Sequence, residues 1–324
     1  MRESTIIVGG AGFIGSHVTD ALLADERTDR VTIYDNFTSG REWHYAAHRD
    51  DPRLAVVRGD ANDLEALCLA MDGHDLVVHL ASNPDIALAM TDPTVDFDQG
   101  TLITHHVVEA MRRTGVQRIA YAAGSGVYGD LGELEATEDH GPLVPVSTYG
   151  ASKLAGEALI SAYAHMFGLR GFSFRFGNVV GRRQTHGVGF DFVRRLLDPS
   201  RLTVMGNGTQ SKSYVAAADV VAAVLTAIDR GPAVPFAAYN VATGDYITVR
   251  EIAELSLEVL GLDPRATVIE YGSSDRGWKG DVPVVRLATE RIRALGWRPS
   301  MGSREALRTS MLAMLEDARA GLAG

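Results

Sequence analysis

A tyrosine and a lysine four residues apart, Tyr149 and Lys153, could carry out acid–base chemistry together. Side chains at this spacing share one face of an α-helix. A free phenol has a pKa near 10 and is a weak base at neutral pH. A neighbouring ammonium favours the phenolate and so lowers the pKa of the phenol. The pair therefore predicts a proton-transferring site, whereas the same spacing in an arbitrary helix is incidental. The elements around it decide between the two.

A glycine-rich turn near the start of the chain supplies that context. Residues 4–8 form a β-branched run, which predicts a buried parallel strand, and a helical apolar pattern follows the turn. Gly9, Gly12 and Gly15 separate the two elements. The order of strand, tight turn and helix is that of a dinucleotide-binding unit, in which glycines allow the turn, the approach of a pyrophosphate and close helix packing. The alternative is a plain glycine turn.

An acidic residue at the end of the second predicted strand strengthens the dinucleotide interpretation. Asp35 follows residues 31–34, about 20 residues beyond Gly15. A carboxylate there accepts hydrogen bonds from ribose hydroxyls and repels a 2′-phosphate, which favours NAD over NADP. An oxidised nicotinamide would also favour the phenolate of Tyr149. The predicted cofactor contacts are Gly9, Gly12, Phe13, Ile14, Gly15, Asp35, Asn36, Asp60, Ala61, Leu80, Ala81, Ser82, Tyr149 and Lys153.

Composition excludes several classes of protein. A formal net charge of −10 disfavours a nucleic-acid surface. No apolar run reaches bilayer-spanning length, and the chain opens directly into a predicted core strand without a signal peptide. The single Cys68 cannot form an internal disulfide, which fits a cytoplasmic protein. His105 and His106 are adjacent on a predicted helix and point to different faces, so we predict no metal site.

Strands and helices alternate along the first half of the chain, which predicts an α/β fold of the Rossmann type with a doubly wound parallel sheet. We expect a dinucleotide-binding domain over residues 1–177, with a return segment at about 214–243. Residues 178–324 are predicted to form mainly a smaller α+β substrate-binding domain, because loops with several cations suit an anionic ligand. A helix over 95–113 ending at Gly115, and two short helices beyond residue 288, are further expectations.

The ordered motifs resemble those of the extended short-chain dehydrogenases/reductases, and within them the UDP-glucose (galactose) 4-epimerases of the NAD-dependent epimerase/dehydratase family. The resemblance covers nearly the whole chain and is carried by these segments: GGAGFIG at 9–15, Asp35, YGASK at 149–153, FGNVVG at 176–181, THGVGFDF at 185–192, GNGTQSKSYV at 206–215 and RGWKGDV at 276–282.

The resemblance implies a reaction and a substrate site. Tyr149 would take the proton of a sugar hydroxyl while hydride passes to NAD, and a 4-keto sugar would turn over and be reduced on its other face. A nucleotide sugar, most simply a UDP-sugar, would be the substrate, and a homodimer would form through the helices at 95–113 and 149–167. The implied substrate contacts are Ser125, Asn178, Val188, Lys212, Tyr214 and Arg276, of which Asn178, Lys212 and Arg276 would meet the diphosphate.

This chain departs from the resemblance beside the predicted catalytic pair. Gly124 stands where relatives carry a catalytic Ser or Thr, and Gly126 occupies the other hydroxyl position. Ser125 is the predicted substitute, although continued strand alternation would turn it away unless the glycines permit a bulge. A second departure is Asp98 and Gly100, in a segment where relatives carry asparagine.

The same strand end bears on the reaction. Dehydratases of this kind carry an Asp-Glu pair there and decarboxylases a glutamate, whereas this chain carries neither, which favours epimerisation of a UDP-hexose, UDP-hexosamine or UDP-uronate. Dehydration or net redox chemistry in a specialised pathway, and a non-catalytic NAD-sensing protein, stay open as alternatives.

Overall fold

A parallel β-sheet forms the centre of the structure, a computed structural model that describes residues 3–197 and 201–322. The strands of this sheet and of smaller pairs are β1 Glu3–Val8, β2 Thr28–Asp35, β3 Leu54–Arg58, β4 Leu76–His79, β5 Arg118–Ala122, β6 Glu135–Ala136, β7 Arg170–Phe176, β8 Asn178–Val180, β9 Arg201–Val204, β10 Ser211–Lys212, β11 Tyr214–Ala216, β12 Phe236–Val241, β13 Ile247–Thr248, β14 Val268–Tyr271 and β15 Arg286–Leu287.

Helices cover both faces of the central sheet and form the C-terminal part. They are α1 Phe13–Ala24, α2 Leu64–Met71, α3 Thr94–Asp96, α4 Ile103–Thr114, α5 Thr148–Phe167, α6 Val188–Leu196, α7 Ala217–Arg230, α8 Val249–Leu260, α9 Glu290–Ala294 and α10 Ser303–Arg319. Among the described residues, no helix is both long and apolar enough to cross a membrane.

The strand order confirms the predicted Rossmann-type fold. The central sheet has seven strands in the order β12-β7-β5-β4-β1-β2-β3, and all neighbours run parallel. The direction of winding reverses between β1 and β4. In open parallel sheets, ligands bind at the carboxyl ends of the strands beside such a reversal. The site is therefore expected above the ends of β1 and β4.

Three groups of buried apolar side chains hold these layers together. One group contains Leu67 of α2 and Met111 of α4 and covers one face of the sheet. A second group contains Val224 of α7 and covers the opposite face. Apolar strands buried on both faces need such a double cover. The third group joins α6, α8 and α10, with Phe192 and Leu307 among its members. The proposed division of domains at residue 177 stays a prediction.

Element boundaries follow the sequence pattern closely, with two differences. The predicted helix over 95–113 is divided, because a π-helical stretch at Phe97–Leu102 separates α3 from α4. Gly115 ends α4 in the left-handed conformation, with φ of 82°, as the helix-stop prediction requires. The prediction of two short helices beyond residue 288 is wrong for the second, because α10 has 17 residues. Its buried Leu307 and Met311 form one apolar face that packs on α6 and α8, and this extends the helix.

Candidate active site

A cleft of about 700 Å³ lies at the carboxyl ends of the central strands. Every residue predicted to contact cofactor or substrate lines this cleft, with the exception of Arg276. In the folded chain, predicted residues from segments that are far apart in sequence therefore meet at one cleft. Within the described ranges, no cluster of His, Cys, Asp and Glu suited to a metal ion occurs.

The glycine turn after β1 is shaped by close backbone contacts. Gly9 has a φ of +84°, and a Cβ built on it would lie 2.6 Å from the amide nitrogen of Ala81. A Cβ on Gly15 would lie 2.6 Å from the carbonyl oxygen of Gly10. No larger residue fits either position without displacement of the backbone. The turn therefore packs against the end of β4 and holds the start of α1 at the cleft, as a pyrophosphate-binding turn requires.

Asp35 joins the end of β2 to this turn. Its Oδ2 accepts a hydrogen bond from the Ala11 amide at 2.9 Å, and its Oδ1 accepts one from the Phe37 amide at 2.7 Å. Burial raises the pKa of Asp35, and the two amide donors oppose that shift. Each carboxylate oxygen keeps a further lone pair for a ribose hydroxyl. Together with the glycine turn, this arrangement fits the adenosine half of a dinucleotide.

Asp60 lies more openly, at the exposed edge of the cleft. Its Oδ1 accepts a hydrogen bond from the Asn62 amide at 2.9 Å, while its carbonyl oxygen accepts one from the Tyr34 hydroxyl at 3.0 Å. These bonds fix the loop after β3 beside Asp35. The predicted contact of Asp60 with the cofactor stays a prediction.

Tyr149 and Lys153 occupy the first turns of α5. Ser147 is the N-cap residue of this helix, and its hydroxyl accepts a hydrogen bond from the Gly150 backbone amide at 3.0 Å. The Lys153 ammonium lies 5.5 Å from the ring centroid of Tyr149 and 5.2 Å from that of Tyr121. The Tyr149 hydroxyl contacts the side chain of Ser82. The pair shares one helix face, as the spacing predicts.

Burial governs the protonation of both groups. It raises the pKa of Tyr149 to about 12 and lowers the pKa of Lys153 to about 7, since it penalises each charged form. Burial is the largest cause at Tyr149, and the expectation that Lys153 and an oxidised nicotinamide together lower the pKa of this phenol stays a prediction.

Glycine contacts hold α5 close to its neighbours. A Cβ on Gly150 would overlap the carbonyl oxygen of Gly126, and a Cβ on Gly156 would overlap the hydroxyl of Tyr121. A Cβ on Gly100, in the helical segment before α4, would overlap the side chain of Ser152. The helix that carries Tyr149 therefore meets three neighbouring segments closely, and at Gly150 a side chain would have to displace the backbone of Gly126.

The turn after β5 faces the start of α5. The strand ends at Ala122, Gly124 has a φ of +85°, and a 3₁₀ turn covers Ser125–Tyr128. Strand alternation therefore stops before Ser125, which lines the cleft. A Cβ built on Gly124 would meet no described atom within 4 Å, so the position leaves open space. The catalytic role of Ser125 stays a prediction.

The cations assigned to the diphosphate are tied to carboxylates in this structure. Lys212 donates to Asp281 Oδ1 at 2.7 Å, and both residues line the cleft. Arg276 donates to Asp130 at 2.6 Å and to the carbonyl oxygen of Asp281 at 2.5 Å. Arg276 does not line the cleft, although Trp278 of the same loop does.

The remaining predicted substrate residues lie on the strand pair β8–β11 and at the start of α6. The backbone amide of Asn178 donates to the Ser213 carbonyl oxygen at 3.0 Å, and the Asn178 side chain hydrogen-bonds the Tyr214 hydroxyl. Burial raises the pKa of Tyr214, which keeps it a phenol. Val188 is the first residue of α6, directly after Gly187. All three side chains line the cleft beyond Lys212.

Sequence reasoning missed several residues that line the cleft or lie directly behind it. Trp278 lines it within a motif that the resemblance did quote, and Ser147 and Arg195 line it as well. An aromatic residue between glycines in a polar loop is the signal that could have found Trp278. Asp96 is buried behind Tyr149, in a segment predicted only as helix.

Comparison with known proteins agrees with this geometry. Residues 5–242 match the family described as NAD dependent epimerase/dehydratase. The chain belongs to this family. As a member of an NAD-dependent family it takes NAD as its cofactor, and the glycine turn and Asp35 are the parts of the cleft that fit the dinucleotide. The resemblance seen in the motifs is thus confirmed at the level of the family.

Relatives that catalyse different reactions are similar to this chain to about the same degree, in sequence and in structure. A putative UDP-glucose 4-epimerase from Methanocaldococcus jannaschii is 29% identical over 94% of this chain and 95% of its own length. A crystal structure of a UDP-galactose 4-epimerase is 36% identical, with a TM-score of 0.85 over 97% of this chain and 99% of that one. A dTDP-glucose 4,6-dehydratase from Streptomyces venezuelae, determined with NAD bound, is 28% identical, with a TM-score of 0.90 over 98% of each chain.

Proposed function

We propose that this protein is an NAD-dependent nucleotide-sugar 4-epimerase that acts on a UDP-hexose, UDP-hexosamine or UDP-uronate. Membership of the epimerase/dehydratase family supports an enzyme that handles sugar nucleotides with NAD. Similarity to UDP-hexose 4-epimerases supports the choice of reaction. The cleft also brings Tyr149 and Lys153 to the residues that fit the cofactor.

The observation that carries the proposal is the turn Gly124-Ser125-Gly126 opposite the start of α5. Removal of water from a sugar needs an acid and a base beside the ring. The turn offers one hydroxyl and no carboxylate, and Gly126 lies against Gly150, the residue after Tyr149. Transfer of one proton at a single hydroxyl, which epimerisation requires, is the chemistry that this arrangement supports.

The residues of the chain divide this chemistry among themselves. NAD, held by the glycine turn and Asp35, would supply the hydride-transfer chemistry at C4 of the sugar. Tyr149 accepts the proton of the 4-hydroxyl and gives it back to the new hydroxyl. Lys153 holds positive charge near the phenol oxygen, and Ser125 offers a hydrogen bond to the reacting oxygen. Asn178 and Lys212 hold the diphosphate while the keto sugar turns.

A product analysis by mass and NMR tests the proposal. The holoenzyme is incubated separately with UDP-glucose, UDP-N-acetylglucosamine, UDP-glucuronate and dTDP-glucose, with Tyr149→Phe as the control. Epimerisation gives a product of unchanged mass and a new set of sugar resonances, and the control is expected to lose about 10²–10⁴-fold in rate. Conversion of none of the UDP-sugars, or full activity of the control, would refute the proposal.

A second candidate is dehydration or net oxidation within a specialised pathway. The open space at Gly124 favours it, because a differently substituted ring fits there, and the structural similarity to a dehydratase is as high as that to the epimerase. A product lighter by one water, or accumulation of NADH with a stable keto sugar, would establish this candidate. NAD binding with no conversion of any sugar nucleotide would instead indicate the NAD-sensing protein.

We also propose a homodimer through α4 and α5. Met166 and Phe167 at the end of α5 are 71% and 45% exposed, and Phe97 before α4 is 57% exposed. Burial of such side chains in a second copy would stabilise the assembly. Light scattering of the holoenzyme is expected to give twice the mass of the chain, and a monomer would contradict this assignment.

A further inference from the structure

A buried carboxylate that the mechanism does not use lies directly behind the catalytic tyrosine. Asp96, the last residue of α3, is 2% exposed. Its Oδ2 accepts a hydrogen bond from the Thr148 hydroxyl at 2.7 Å, and its Oδ1 accepts one from Asn83 Nδ2 at 3.0 Å. A buried carboxylate is costly unless it is hydrogen-bonded, and both oxygens of Asp96 meet this condition.

The partner Asn83 leaves no freedom in this arrangement. Its Nδ2 donates one hydrogen to the carbonyl oxygen of Asp85 at 2.8 Å and the other to Asp96. Its Oδ1 accepts a hydrogen bond from the Asp85 amide at 3.0 Å. The amide orientation is therefore fixed by its neighbours, and Asp96 must present an acceptor to it.

The two partners of Asp96 stand next to the two residues that meet at the phenol. Thr148 precedes Tyr149, and Asn83 follows Ser82, whose side chain contacts the Tyr149 hydroxyl. We propose that Asp96 is a positioning residue for Tyr149, because its carboxylate ties the segment after β4 to the start of α5 and so sets the contact between Ser82 and the phenol. This inference rests on the proposed function only in taking Tyr149 as the acid and base.

The charge of Asp96 acts in the same place. It opposes ionisation of Tyr149, where it adds to the larger effect of burial, and it favours the ammonium of Lys153, where it acts against the larger effect of burial. The other titratable groups that face the pair are His79 from β4 and Tyr121 from β5. Burial lowers the pKa of His79 to about 3 and raises that of Tyr121, so both are neutral near pH 7. Asp96 and Lys153 are therefore the charged groups that face the phenol.

Two substitutions separate position from charge. In Asp96→Asn the amide oxygen can still accept from Asn83 and the amide nitrogen can donate to the Thr148 hydroxyl, so the geometry is kept and the charge is lost. In Asp96→Ala both bonds are lost. The matched control is Asp98→Asn, which removes an exposed carboxylate two residues along the chain.

The first readout does not depend on the identity of the sugar. Tyrosinate absorbance of the NAD-bound protein is titrated with pH, and the same variant carrying Tyr149→Phe is subtracted to isolate Tyr149. We expect Asp96→Asn to lower the titration midpoint by about one pH unit, since a nearby like charge disfavours the phenolate, and Asp98→Asn to leave it unchanged. An unchanged midpoint in Asp96→Asn would overturn the inference, and the expected shift in a protein that converts no sugar would refute only the proposed function.

The second readout is turnover of whichever sugar nucleotide is converted. Misplacement of a catalytic group by about 1 Å costs up to about 10²-fold in rate. We therefore expect Asp96→Ala to lower kcat at least tenfold with little change in KM, and Asp96→Asn to restore most of that loss. Equal kcat in Asp96→Ala and the parent protein would contradict the positioning role. So would equal losses in both variants without a shift in the pH profile.

Discussion

The buried ion pair beneath the catalytic helix allows a stability prediction with its own internal control. Arg175 of β7 donates to both carboxylate oxygens of Glu157 on α5, at 2.9 and 2.8 Å, and the two side chains are 6% and 5% exposed. Arg175 also donates to the Tyr128 hydroxyl at 2.9 Å, which ties in the turn that contains Ser125. Replacement of Arg175 by Met keeps the apolar stem and removes every one of these bonds.

The expected loss follows from the burial of the partner left behind. Removal of one member of a buried ion pair costs about 3–5 kcal/mol, because the other charge stays buried without compensation. The entropy of unfolding is about 2 cal/mol/K per residue, which over the 324 residues of this chain corresponds to about 1.5 °C for each kcal/mol. Arg175→Met should therefore lower the thermal midpoint by about 4.5–7.5 °C.

The control is an exposed arginine–glutamate pair with the same shortest nitrogen–oxygen distance. Arg304 meets Glu258 at 2.8 Å, as Arg175 meets Glu157, but these side chains are 55% and 54% exposed. Solvent screens such a pair, and Arg304→Met should change stability by less than about 1 kcal/mol. Calorimetry of the NAD-bound protein at one pH compares the two variants.

The comparison can contradict the reasoning in two ways. Equal midpoints for Arg175→Met and Arg304→Met would show that burial does not set the cost. The double variant Arg175→Met with Glu157→Gln should recover part of the loss, since no charge is then left buried. A double variant less stable than Arg175→Met alone would contradict the assignment of the loss to the stranded carboxylate.

Three further predictions follow from the cleft. Gly9→Ala should lower NAD affinity at least tenfold, because an alanine is strained at positive φ by about 1–2 kcal/mol and its Cβ displaces the turn; calorimetric titration with NAD measures it, and unchanged affinity would contradict the close approach. Burial lowers the pKa of Lys153 to about 7 in the folded protein, whereas the unperturbed value is about 10.4. Between these two pH values the unfolded chain therefore binds more protons than the folded chain. Stability should rise with pH across that window, and Lys153→Met should be more stable than the parent near pH 7 with a difference that closes toward pH 10; a constant difference in unfolding midpoints would refute this. Tryptophan fluorescence should change when a UDP-sugar binds and should lose that response in Trp278→Phe, since of the other two tryptophans Trp43 lies outside the cleft lining and Trp297 is buried and donates to a backbone carbonyl; an unaltered response would place the sugar elsewhere.

The cofactor half of the cleft was predicted from short stretches of sequence. The turn at Gly9 and the acid at Asp35 depend on short stretches of sequence, because a strand, a tight turn and a helix are encoded within about 30 residues. The strand order then places their ends at one edge of the sheet. This part of the site was accessible to sequence reasoning for that reason.

Contacts over long separations were not accessible in the same way. Asp96 meets Thr148 across 52 residues, and Arg276 meets Asp130 across 146 residues. Neither pairing leaves a periodic pattern in the sequence. The protonation of Tyr149 depends on how deeply the folded chain buries it, which spacing alone does not reveal. Ser125 was uncertain because the alternation rule ends where the strand ends.

The glycine contacts of α5 decide which walls of the cleft can be redesigned. Residues 150 and 156 bring the helix against the turn after β5 and against the sheet, so any enlargement there would lift the phenol from its place. The glycines at the start of α6 instead approach Gln184 and the side chains of Leu307 and Met311. Selection for a new sugar, by evolution or in the laboratory, should therefore accumulate changes at the start of α6 while the α5 side of the cleft stays constant.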